Sequence, residues 1–221
     1  MSEARDHGES SRPARAYHHG NLREALVACG IDLARAGGPD ALVLREVTRR
    51  IGVTPRAAYR HFADRDALVT EIARVALSEM ATLVGERMTS IRADDALEHA
   101  CASLRTLGIG YIDYALDEPG LFAVAMYGLD RMVLAKPSEE GHAATSPYAV
   151  LEQIVSAFVA EGVLAAERMP AAVTMCWSSV HGFATLATQG PLREVRRARA
   201  REMAEEMVTL VVDGLAAGRR P

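Results

Sequence analysis

The chain has 221 residues, enough for one large domain or two small ones, each with a proper core. Apolar residues make up 49% and charged residues 24%, which argues against disorder, and no apolar run reaches the roughly 20 residues that span a bilayer. The net charge of −4 hides an asymmetry: residues 1–65 carry eleven arginines against eight carboxylates, and the rest carries fourteen basic groups against twenty-one acidic ones.

The polar N-terminus, MSEARDHGESSRPAR, has no apolar core of a secretory signal, so a cytoplasmic protein is expected. Residues 1–16 hold too few apolar groups to offset the entropy of ordering and are predicted to form a mobile arm. Asn21 and Glu24 approximate a capping box, and Leu22, Leu26, Cys29 and Leu33 recur at helical spacing. The first helix should run to about Arg35 and stop at Gly37-Gly38-Pro39.

In LVLREVTRRIGVTPRAAYRHF, Val47 and Ile51 mark the inner face of a short helix that Gly52 breaks. Thr54 can cap the next helix, with Pro55 at its first position, where a missing amide hydrogen costs nothing. Ala58 and Phe62 then face inward, and two short helices joined by a tight glycine turn predict a helix-turn-helix. Around it Arg45, Arg49, Arg50, Arg56 and Arg60 face only Glu46, a basic patch on an acidic protein.

Asp64 can cap a long fourth helix whose buried stripe is Leu68, Ile72, Val75, Met80, Leu83 and Met88. Asp95 and Glu98 repeat the capping pattern before a helix through Leu97, Cys101, Leu104, Gly108, Tyr111 and Ala115. Pro119-Gly120 starts a short helix through Phe122 and Met126, and residues 128–146 look like the longest internal loop. Ser146-Pro147 opens a helix with Leu151, Ile154, Val155 and Phe158 inward, and Pro170 and Pro191 precede the last two, near 171–189 and 192–217. No strand is predicted, so the fold class is all-α.

Cys29, Cys101 and Cys176 are odd in number, far apart and in apolar surroundings, which suits small core residues better than a disulfide or zinc site. The chain contains no GxSxG, Walker loop, GxGxxG or HExxH, and its seven histidines show no paired ligand spacing beyond the adjacent His18-His19. No enzyme, metal site or cofactor is therefore expected.

Residues 52–68, GVTPRAAYRHFADRDAL, with LREVTRRI upstream, resemble the helix-turn-helix signature of the TetR family through Gly52, Thr54, Tyr59, His61-Phe62, Arg65 and Leu68. PGLFAVAMYG is similar to the family's sixth-helix region, and Trp177 to Gly182 and Tyr17 to Leu22 resemble members with a WHG-type C-terminal domain. Two departures stand out: Leu44 occupies a position where the family often has a capping Ser or Thr, and Thr48 one where Ala is common. The resemblance implies a three-helix DNA-binding domain over residues 17–65 and a helical ligand-binding and dimerisation domain over 66–221.

A recognition helix at about residues 54–61 would then enter the major groove, where base edges are distinguishable, with its N-terminus also facing phosphate. Arg56 is the expected base reader, Pro55 and Ala57 would touch apolar groups such as thymine methyls, and Tyr59, His61 and Arg65 would contact phosphate. Arg45 and the arm are further backbone candidates, and Arg49 and Arg50 read as a solvated face.

The resemblance further implies a homodimer joined through the last two helices, reading a near-palindromic double-stranded operator. A small hydrophobic or aromatic effector would sit among Tyr111, Tyr114, Phe122, Met126, Phe158, Trp177 and His181, although such side chains at helical spacing also build ordinary core. Trp177 and His181 share a helix face that can meet either the pocket or the dimer seam, and Gly182 leaves room for another helix. The two functions carried forward are a repressor released by its effector, as is usual in the family, and a DNA-binding regulator without a ligand or under a partner's control.

Overall fold

A computed structural model describes residues 22–134 and 147–218, with side chains placed outside 129–134. The expected arm, the capping Asn21, the Tyr17–Asn21 stretch and the 135–146 part of the expected loop lie outside the described residues. Among those described there are nine α-helices and no strand, so the architecture is all-α.

Helix α1 (Leu22–Gly37) buries Leu26, Gly30, Leu33 and Ala34. It ends where expected: Gly38 adopts φ +64°, a conformation that favours glycine, and Pro39 opens a 3-10 turn over Gly38–Ala41. Helix α2 (Leu44–Ile51) buries Leu44, Val47 and Thr48, with Ile51 half-buried. The Leu44 departure now has a reason, since Val43 is the cap residue and offers no side-chain bond while Leu44 is core. The Thr48 hydroxyl, buried in this turn, donates to the Arg45 carbonyl at 2.9 Å.

Gly52 at φ +74° reverses the chain, and α3 (Pro55–Ala58) follows as a single turn, with hydrogen bonds that carry the winding on to Phe62. Ala58 and Phe62 are buried as expected. Thr54 occupies the cap position but its hydroxyl makes no capping bond, contrary to the expectation.

Asp64 does cap α4 (Arg65–Met88), accepting from the Ala67 amide at 2.7 Å. Its buried face is broader than the expected stripe: Val69, Ala73, Ala76 and Val84 are buried with Leu68, Ile72 and Met80, whereas Val75, Leu83 and Met88 are only half-buried. At 24 residues, about 36 Å long, α4 packs against α1 and against the helices of the C-terminal half.

Helix α5 (Ala96–Asp117) is capped by Asp95, which accepts from the Glu98 amide at 2.7 Å. It is the central element, packed against α4, α6 (Pro119–Leu134), α7 (Pro147–Ala160), α8 (Met169–Thr188) and α9 (Arg197–Ala216), and is therefore apolar on most faces. At its far end Asp113 accepts from Arg87 of α4 at 2.7 Å and from Arg201 of α9 at 2.9 Å, tying three helices together.

Two boundaries differ from expectation. Helix α6 continues to Leu134 rather than ending near residue 128, because its apolar positions extend through the segment that glycine and charge mark as loop. Pro191 opens a turn, not a helix: the Gly190 amide returns to the Thr185 carbonyl at 3.0 Å, and α9 begins only at Arg197.

Candidate nucleic-acid interface and regulatory cavity

Helices α2 and α3 pack on α1 through Val47, Ala58 and Phe62, which leaves the outer face of the turn to polar groups. Arg45, Thr54, Pro55, Arg56, Tyr59 and His61 are exposed there and Ala57 is half-buried. The Tyr59 side chain, 56% exposed, is large, apolar and unburied, which no packing requirement explains. The side chains of Arg45, Arg56, Arg60 and His61 make no hydrogen bond or ion pair with any described residue.

The other arginines of the patch are tied down. Glu46 accepts from Arg49 and from Arg50, each at 2.8 Å, and these bonds hold its carboxyl down at about 2. Arg65, expected at phosphate, is engaged within the protein: its Nε donates to the Leu42 carbonyl at 2.8 Å and a terminal nitrogen to the Pro39 carbonyl at 2.5 Å. Its guanidinium carbon also lies 5.8 Å from the centre of the Tyr127 ring on α6. The anion-binding role expected of the α3 N-terminus is weakened too, since four residues sum to little dipole.

In the C-terminal half, α5, α7, α8 and α9 enclose an apolar cavity of about 30 Å³. Tyr111, Leu107, Gly108, Trp177, Val180 and Val208 are among its lining, and no charged side chain of the described residues lines it. Cys176 also lines it, and burial pushes that thiol up to about 11, so it stays protonated and inert.

Of the seven expected ligand contacts, Tyr111 and Trp177 line the cavity. The Tyr111 hydroxyl lies 2.9 Å from His181 Nδ1 and donates to the Met126 sulfur at 3.3 Å, and its ring meets Phe122 edge-on at 5.4 Å. Burial raises the Tyr111 phenol well above its ordinary range, so it remains a neutral hydrogen-bonding group. Phe122, Met126 and His181 thus support Tyr111 from behind. Tyr114 turns to Glu79 at 3.4 Å and Phe158 is fully buried core, so neither lines the cavity.

Trp177 and His181, stacked with centroids 6.0 Å apart, both face α5, which settles their side of α8. The opposite side of α8 and α9 is open and largely apolar, with Met175 43% and Leu210 74% exposed beside Met203 and Met207, and Arg168, Arg199 and Glu206 also line it. A Cβ built on Gly182 would have no described atom within 4 Å, so the helix it could admit is not among the described residues.

Gly108 was not singled out as a site residue, although it forms the cavity wall: a Cβ there would meet Val208 at 3.2 Å. A glycine inside an apolar helix costs about 1 kcal/mol relative to alanine, and that cost was the readable signal. Among the described residues no group of three His, Cys, Asp or Glu side chains could hold a metal ion, and no helix is long and apolar enough to cross a membrane.

Two family models match the chain. One, described as bacterial regulatory proteins of the tetR family, covers residues 26–72, and the other, a tetracyclin repressor-like C-terminal domain, covers residues 104–211. A protein of unknown function from Rhodococcus sp. RHA1 is 25% identical over 93% of this chain and 98% of its own, with a TM-score of 0.63. A bacterial regulatory protein in the tetR family from Rhodococcus RHA1 is 19% identical over 89% and 97%, with a TM-score of 0.61. A TetR variant from Acinetobacter baumannii AYE, in complex with minocycline, is also 19% identical over 89% and 97%, with a TM-score of 0.57. No curated protein matches by sequence.

Proposed function

This chain belongs to the TetR family of DNA-binding transcription regulators, and from that membership we propose that it is a repressor that grips its operator as a homodimer and is released by a small hydrophobic or aromatic molecule. The observation that carries this reading is the outer face of residues 54–61, where Arg56, Tyr59 and His61 are exposed without serving the fold. Arg56 reads a base, because a guanidinium can pair bidentately with guanine in the major groove. Arg45, Tyr59 and His61 hold phosphates and set the register, and Pro55 and Ala57 supply apolar contacts. Selection of fragments of the source genome on the immobilised protein tests this: a near-palindrome should be enriched, and Arg56→Ala should weaken the enrichment and relax the selected sequence at one base pair. Retention of all fragments alike would contradict it.

The open face of α8 and α9 is the dimer surface in this reading, since the exposed Met175 and Leu210 and the half-buried Met203 and Met207 are apolar groups that a second copy would cover. The cavity around Tyr111 and Trp177 is the effector site. Its lining, uncharged among the described residues, favours a neutral ligand, with the Tyr111 hydroxyl, oriented by His181 and Met126, as the hydrogen-bonding group. At about 30 Å³ it holds little more than a water, whereas ligand pockets run to about 300 Å³ or more, so an effector binds an opened arrangement. It then acts by favouring that arrangement over the DNA-competent one.

The smallness of the cavity also favours a second reading, a regulator of the cytoplasmic genome that has no small-molecule ligand and answers to a partner. Titration with neutral aromatic and aliphatic compounds separates the two. A compound that binds the free protein and the operator complex with equal affinity cannot be the switch, by reciprocity.

A further inference from the structure

We propose that Arg65 is a positioning residue: through Tyr127 it fastens the Gly38–Ala41 turn, and with it α2 and α3, to helix α6 of the C-terminal half. The proposal rests on the operator-binding reading above and gives Arg65 a different place in it from the phosphate contact that its sequence position suggests.

The geometry begins with two carbonyls three residues apart, on Pro39 and Leu42, that a planar guanidinium reaches together, at 2.5 and 2.8 Å. Leu42 is fully buried and lies two residues before α2, so the fork grips the chain just where it enters the helix-turn-helix. The third nitrogen is 3.5 Å from Asp66, and the guanidinium carbon lies over the Tyr127 ring, 5.8 Å from its centre, within reach of a cation–π contact. To reach a phosphate, Arg65 would have to give up both bonds; the Pro39 carbonyl would keep the Leu42 amide, at 3.2 Å, but the Leu42 carbonyl would lose its donor in a half-buried setting, where an unpaired acceptor is costly. A lysine keeps the charge but has no rigid fork, so it cannot hold both carbonyls in the same way.

Helix α6 connects this grip to the cavity. Met126, next to Tyr127, accepts from the Tyr111 hydroxyl, and Phe122 one turn earlier packs on the Tyr111 ring. The helix is also seated without slack on the N-terminal half: a Cβ on Gly128 would come within 2.3 Å of the Ala73 methyl, and one on Gly120 within 2.1 Å of the Ala34 carbonyl. A shift of α6 therefore moves the Tyr127 ring under Arg65, and the fork passes the shift to the backbone ahead of α2.

Arg65→Lys, Arg65→Met, Tyr127→Leu and the Arg65→Met/Tyr127→Leu pair test this with two readouts. The first is amide hydrogen exchange of residues 44–58 in the DNA-free protein. The second is affinity for the selected operator relative to a random duplex of equal length. The expected result is that Arg65→Lys behaves like Arg65→Met, with exchange several-fold faster and the specific-to-random ratio down about tenfold. Tyr127→Leu, on α6 and outside residues 54–61, should share that signature, and the pair should be no worse than the worse single variant. The proposal is overturned if Arg65→Lys exchanges and binds like wild type while Arg65→Met loses affinity for all sequences alike, with a salt slope lower by about one unit. Should Arg65→Met fail to fold, Arg65→Lys and Tyr127→Leu decide alone. If the wild-type protein shows no preference for any duplex, the operator reading fails, and the exchange readout still decides the role of Arg65.

Discussion

Arg56 is the residue on which the proposed recognition face can be tested most cleanly, because its exposed side chain makes no hydrogen bond or ion pair with a described residue and its removal should leave the free protein intact. Arg56→Ala is expected to weaken operator binding by about 1–3 kcal/mol and to relax preference at one base pair. Arg45→Ala should instead weaken all sequences and lower the salt slope by about one unit. Binding across a panel of single-base operator variants checks both, and equal, sequence-blind losses would show that Arg56 is a backbone contact. Glu46 provides a second test. Its carboxyl, held at about 2 by Arg49 and Arg50, lies below its unfolded value, so any stability linked to it is complete above the ordinary carboxylate range and is lost only as pH falls toward 2. The clamp thus stays closed between pH 5 and 8. Glu46→Gln should release both arginines and raise affinity for random duplex with a steeper salt slope, and an unaltered slope would mean that neither reaches phosphate. At this scale the motif from Gly52 to Phe62 was legible because turn, cap position and buried pair coincide in sequence. The inward turn of Arg65 was not, since its partners are two backbone carbonyls that carry no residue identity.

The helices themselves were legible wherever an acidic cap and a 3.6-residue apolar repeat agreed, as at Asp64 for α4 and Asp95 for α5. The breadth of the buried face of α4 was not, because alanines such as Ala73 and Ala76 carry little hydrophobic signal and are buried only by the approach of neighbouring helices. For the same reason the cavity was legible only in part: Tyr111 and Trp177 line it, but so do Gly108 and valines of α8 and α9, which a pattern of large side chains does not mark. Close approach also makes a prediction at this scale. A Cβ at Gly120 would lie 2.1 Å from the Ala34 carbonyl oxygen, backbone that cannot rotate away. Gly120→Ala should therefore destabilise the protein by about 1–3 kcal/mol or more, the cost of overpacking, and should loosen α6 from α1. Thermal unfolding measures it, and an unchanged midpoint would mean that the two helices separate freely.

On the scale of the whole molecule the charge asymmetry matches the division of labour, a basic recognition face carried by an acidic protein. The open face of α8 and α9 includes Leu210, 74% exposed. Leu210→Arg is expected to give a folded monomer at micromolar concentration in sedimentation, with operator binding lost along with the dimer, because one small domain alone binds weakly. A dimer that persists would move the interface elsewhere. The central claim is that two copies read one operator through α3, with half-sites one helical turn apart, about 34–36 Å. The most direct measurement compares the selected operator with the same duplex carrying five extra base pairs between its half-sites, which turns one half to the opposite face. Wild-type affinity should fall at least tenfold, to nearly that of a single half-site. Equal affinity for the two duplexes would contradict the claim that a rigid dimer of this chain recognises its operator.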